Sequence, residues 1–174
     1  MQSIRSLLFT LAFTSAMFAA PFKPVTPDEP YGEAYGVGTR SWRFASSLSH
    51  DATGTIEFFY VENGSAERML GGVDVRPFQS SRTEAPDLRI LFAKTEVDGR
   101  PRVVLLIGYG IRSGVFVAEV PGLTGHSLVS GASLAGPSGE YNLLGWGDGP
   151  VRLARDGGMS GERGRLFFRY VGKN

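Results

Sequence analysis

Residues 88–109 read LRILFAKTEVDGRPRVVLLIGY, and the fold class follows from them. Asp98-Gly99 sits at the middle. Both central positions of a two-residue type I′ turn need positive φ, which Gly adopts freely and Asp tolerates. Centring a hairpin there pairs Val97 with Arg100, Phe92 with Leu105 and Ile90 with Ile107. Leu88, Ile90, Phe92, Leu105, Ile107 and Tyr109 then share one face. Leu91, Ala93, Val104 and Leu106 share the other. A strand pair that is apolar on both faces is expected to be covered on both. Pro101 has no N–H to donate, so the turn end of its strand is expected to lack an outer neighbour.

A second hairpin precedes it. Residues 55–61, TIEFFYV, and 65–70, SAERML, flank Asn63-Gly64. Centring the turn there pairs Phe58 with Met69 and Phe59 with Arg68, and puts Ile56, Phe58, Tyr60 and Met69 on one face. The mixed opposite face predicts an outer strand pair with one side solvated. Asn63-Gly64-Ser65 also fits the N-glycosylation acceptor, but turn chemistry alone accounts for it.

Further strands are expected at 41–48, near Val73–Val75, at 114–120, 127–129, 141–144, 151–155 and 165–171. Turn residues separate them, among them Pro121-Gly122 and the run Trp146-Gly147-Asp148-Gly149-Pro150. In the last strand Leu166, Phe168 and Tyr170 face one way, and Phe167, Arg169 and Val171 the other. Beyond the N-terminus no stretch carries a helical period with caps. The expectation is all-β: a single-domain antiparallel β-sandwich or small closed β-barrel of about eight or nine short strands.

The N-terminal end is different. Arg5 precedes an apolar run from Leu7 to Ala20 that ends in small residues, the layout of a signal peptide and too short for a comfortable transmembrane helix. Cleavage sites after Ala16, Ala19 or Ala20 are each imperfect, so an uncleaved anchor is the alternative. Prolines at 21, 24, 27 and 30 would line one edge of a polyproline helix, a stiff spacer. Residues 31–40, YGEAYGVGTR, continue as a Gly-rich lead-in; Gly36-Val37-Gly38 lacks the companions of a nucleotide loop. The division is therefore signal segment 1–20, Pro/Gly-rich linker 21–40 and β domain 41–174.

Composition narrows the function. The chain has 174 residues, no cysteine and a net charge of +1. A disulfide framework, a thiol nucleophile, a Cys-ligated zinc and a lipid-modified cysteine are excluded. The charge gives no bulk attraction to nucleic acid. Fifteen arginines stand against three lysines, a skew set by genome composition or by selection for bidentate pairing.

Chemical motifs are sparse. His50 lies beside Asp51 and His126 beside Ser127, without a nucleophile elbow or metal-ligand spacing. No catalytic residue, metal ligand or cofactor is assigned. Glu57, Glu119, Glu140 and Asp148 are the carboxylates available for a glycosidase-type pair, yet nothing fixes their separation. Asp/Gly-rich turns at 147–149 and 156–158 match no calcium-loop spacing. Residues 163–170 only partly fit the aromatic RNA-recognition strand. The best binding candidate is Tyr141, Asn142, Trp146 and Asp148, where rings on a Gly-flanked turn could stack on a sugar or a partner. The competing reading has Trp146 plug one end of the core.

These features lead to an exported, periplasmic or extracellular, non-catalytic binding or structural domain. Its partner would be a small molecule, a glycan or an envelope protein, with no nucleic acid, and with membrane contact only through an uncut N-terminal segment. A secreted carboxylate-dependent hydrolase and a small eight-stranded outer-membrane barrel are the alternatives.

Overall fold

The computed structural model describes residues 20–25, 39–62, 64–78, 85–120, 127–130, 139–153 and 159–173. The signal segment, apart from Ala20, lies outside them. So do residues 26–38 of the linker, and His126. Among the described residues there is no helix, and none therefore long and apolar enough to cross a membrane.

The strands are β1 (Phe22–Pro24), β2 (Thr39–Ser46), β3 (Gly54–Glu62), β4 (Arg68–Val75), β5 (Leu88–Val97), β6 (Arg100–Tyr109), β7 (Arg112–Glu119), β8 (Ser127–Ser130), β9 (Tyr141–Gly147), β10 (Arg152–Leu153), β11 (Met159–Ser160) and β12 (Gly164–Gly172). One antiparallel sheet, here called A, runs β1-β2-β5-β6-β7. The other, B, runs β4-β3-β12-β9-β8, and β10 and β11 form a small separate hairpin. The arrangement is all-β and sandwich-like. Among the described residues the two sheets do not close into a barrel.

The central hairpin has the expected register. Val97 pairs with Arg100, Phe92 with Leu105 and Ile90 with Ile107. Asp98 and Gly99 take φ of 53° and 71°, as a type I′ turn requires. The β6–β7 ladder begins only at Arg102, one residue beyond Pro101. Leu88, Ile90, Phe92, Leu105, Ile107 and Tyr109 are all buried on the face toward sheet B.

Coverage of the opposite face is corrected. Leu106 is 41% exposed, and its β7 neighbours Val115 and Val117 are 63% and 56% exposed. Sheet B lies against one side of sheet A, and this stretch of the other side remains open.

The second hairpin slips by one residue. Phe59, not Phe58, pairs with Met69, and Tyr60 pairs with Arg68, with a register shift between Phe58 and Phe59. Ser65 N–H still bonds Glu62 C=O at 2.9 Å, and Gly64 takes a φ of 68°. The slip carries Met69 off the core face, and it is 55% exposed. The outer side of β3 is also less solvated than expected. Phe59 stacks on Phe167 at 5.5 Å, and the guanidiniums of Arg169 and Arg165 cover these rings at 4.1 and 4.9 Å.

The linker boundary moves as well. Pro21–Pro24 begin no spacer: Phe22, Lys23 and Pro24 pair with Ser46, Ala45 and Phe44. Pro24 is tolerated because β1 is an edge strand. Phe22 is 1% exposed and meets Tyr109, Tyr141, Phe168 and Tyr170 edge-on at 5.7–6.3 Å.

If β1 belongs to the core, Phe22→Ala costs about 3–5 kcal/mol and lowers Tm by roughly 10 °C. Thermal unfolding of the variant tests this, since a solvated spacer residue would leave Tm unchanged.

Candidate functional site

The four residues singled out on β9 and its following turn do not form an exposed site. β9 is buried along its whole length. It lies between β12 and β8 within sheet B, with both of its ladders filled. Tyr141 points into the core, where its ring stacks on Phe168 at 4.6 Å with the planes 6° apart. Its hydroxyl accepts a 3.0 Å hydrogen bond from the Phe22 backbone N–H. Burial pushes the Tyr141 phenol above its ordinary value, against the opposing effect of that bond. Asn142 is 1% exposed and pairs with Phe167, on the outer side of sheet B.

Trp146 is also 1% exposed. It pairs with Gly164, and a Cβ at that glycine would overlap the indole. Gly164 thus provides the space that the indole occupies. The plug reading is the one the geometry matches. Beside the indole is a cavity of about 10 Å³, lined by Tyr60, Phe92, Val103, Val120, Leu144, Trp146 and Leu166. That is space for one water at most. Only Asp148 of the four is exposed, and it pairs with Arg163 at 2.8 Å.

The candidate carboxylates are dispersed. Glu57 stands opposite Arg169 on the outer face of sheet B. Glu119 lies between Arg100 and Arg102 at 3.7 and 3.5 Å. Glu140, buried, pairs with Arg165 at 3.1 Å. His50 is exposed, and among the described residues no cluster of His, Asp and Glu could hold a metal ion.

The feature with binding character lies on the outer face of sheet A. Cross-strand pairing lays its side chains out in rows. Ser41, Leu91, Leu106 and Val115 make one row; Thr39, Ala93, Val104 and Val117 make the next. On one side of these rows runs Arg43, Arg89, Gly108 and Ser113, and on the other Thr95, Arg102 and Glu119. Leu91, Leu106, Val104, Val115 and Val117 thus form a continuous aliphatic patch with charged margins, and large exposed patches of this kind mark interaction sites. Alternation in β5 and β6 shows these residues, but not that their face stays open. Comparison with known proteins found no matching family model, no matching curated protein and no matching solved structure.

Two outcomes check the buried half of this description. Trp146→Ala lowers stability by about 3–5 kcal/mol in urea unfolding, whereas Asp148→Ala, which removes an exposed ion pair, changes it by less than about 1 kcal/mol. Tyr141→Phe strands the buried Phe22 N–H at a cost of about 1–3 kcal/mol. Because the folded phenol has the raised pKa, its contribution is complete below the unfolded value of about 10 and is lost as pH rises through the folded one. The wild type therefore loses stability on the alkaline side, and Tyr141→Phe flattens that fall in a pH series.

Proposed function

We propose that this chain is an exported β domain of the cell envelope or extracellular space that works by docking, through the outer face of sheet A, rather than by catalysis. The observation that carries this is the pair of aliphatic rows on that face. Leu106, Val115 and Val117 are each between 41% and 63% exposed, although Leu106 sits in a strand paired on both sides and Val115 and Val117 in the regular edge strand beside it. A surface that served only to keep the domain soluble would alternate toward polar residues there.

The dispersal of Glu57, Glu119, Glu140 and Asp148, three of them engaged by arginines, supports docking over the hydrolase alternative. The N-terminal segment supports export: its charge, apolar run and small residues are those of a signal peptide.

The test is fractionation of the expressed chain alongside a Leu106→Thr/Val115→Thr/Val117→Thr variant. Threonine keeps the strand preference while removing apolar surface. The wild type is expected in the envelope fraction, with a mature N-terminus between residues 17 and 21 by mass spectrometry. The triple variant is expected in the soluble exported fraction with an unchanged circular dichroism spectrum. A full-length cytoplasmic product, or a triple variant distributed like the wild type, overturns the reading.

A further inference from the structure

The charged margin of the aliphatic patch points to what it docks on. Arg43 and Arg89 are directly opposite each other on β2 and β5. Like charges in that position repel, and among the described residues the chain supplies a carboxylate to only one of the two. Arg43 is held by Asp87 at 2.6 Å. Arg89 is exposed and makes no ion pair or hydrogen bond among the described residues. The row continues through Gly108, where an added Cβ would meet nothing within 4 Å, to the exposed Ser113. The result is a shallow trough with two guanidiniums at one end and a hydroxyl at the other. Lys23, opposite Ala45 on the neighbouring edge strand, adds a third cation to the same face. The remaining charges on the face are Arg100 and Arg102, which share Glu119.

We infer that this face docks on an anionic lipid surface, with Lys23, Arg43 and Arg89 taking phosphate headgroups while Leu106, Val115 and Val117 enter the acyl boundary. The inference rests on the docking reading above and names its partner. Three features favour a lipid surface over a protein. Successive rows along a strand lie about 7 Å apart, so headgroup-binding cations and aliphatic side chains meet a membrane at adjacent positions. The patch is a sheet face of branched aliphatic residues, whereas protein hot spots favour Trp, Tyr and Arg in pockets and are poor in Val and Leu. Apolar burial and attraction to anionic headgroups together set interfacial affinity, and neither needs a groove.

The test is co-sedimentation with vesicles of phosphatidylglycerol and phosphatidylcholine, against vesicles of phosphatidylcholine alone. The wild type is expected to bind the mixed vesicles, more weakly as salt rises. Lys23→Gln/Arg89→Gln, which removes two exposed cations, weakens that binding about 30-fold. The Leu106→Thr/Val115→Thr/Val117→Thr variant weakens it about tenfold or more and keeps the salt dependence. Equal binding to both vesicle types, or none, overturns the inference. So does a dimer by sedimentation velocity that the triple variant abolishes without any vesicle binding, which would make a second copy the occupant. So does tighter binding of hexaglutamate than of vesicles. Loss of vesicle binding alongside release of the triple variant on fractionation would remove the lipid and leave the docking reading in place.

Discussion

The two sheets are held in register by one aromatic junction. Phe22 and Phe44 from sheet A meet Tyr141 and Phe168 from sheet B, with Phe44 and Phe168 edge-on at 5.0 Å and Tyr141 stacked on Phe168. Edge-to-face pairs favour a limited set of ring orientations, so the cluster fixes how the sheets sit as well as burying area. The Phe22 N–H bonded to the Tyr141 hydroxyl gives the one polar tip in this cluster a partner. Around that junction aliphatic residues of β3, β4, β5, β6, β9 and β12 fill the core together with Trp42, Phe58, Tyr60, Phe92 and Trp146.

The other side of sheet B solves a different problem. β12 is central, so Phe167 cannot escape burial, and it is 0% exposed on a face away from the main core. Arginine stems and guanidiniums supply the cover. Arg165 lies over Phe167 and reaches Glu140; Arg169 lies over Phe59 and reaches Glu67 at 3.0 Å. Planar guanidinium stacks on a ring while its edge still binds a carboxylate, which ammonium cannot do as well. At these two positions the excess of arginine over lysine has a structural use beyond genome composition.

How much of this could be read from sequence depended on whether one local rule governed each segment. At Asp98-Gly99 the turn fixes φ and the flanking alternation agrees with it, so register and core face were both legible. At Asn63-Gly64 the turn was legible but the residue absorbed beside Phe58 was not, because nothing in residues 65–70 marks the irregularity. The prolines around Phe22 suggested a solvated spacer, and only the tertiary position of Tyr141 and Phe168 makes that phenylalanine a core residue. Tyr141 and Trp146 illustrate the same ambiguity: an aromatic beside glycines reads equally as a stacking platform or as a ring needing space. Gly164, 18 residues further on, decides it by pairing with Trp146. The open side of sheet A was hidden for the converse reason. Alternation identifies two apolar faces, but which one receives the second sheet depends on contacts distant in the chain.

The position of β12 has a consequence for the order of assembly. It is the strand that joins β3 to β9, and its register runs from Gly54 opposite Gly172 to Glu62 opposite Gly164. Synthesis delivers it more than a hundred residues after its first partner. Contacts of such separation close slowly, because the loop entropy is lost before the pairing repays it. β5, β6 and β7, joined by short turns, can zip as a local meander while sheet B still lacks its middle. A nascent chain is thus kept from completing its core until β12 has emerged.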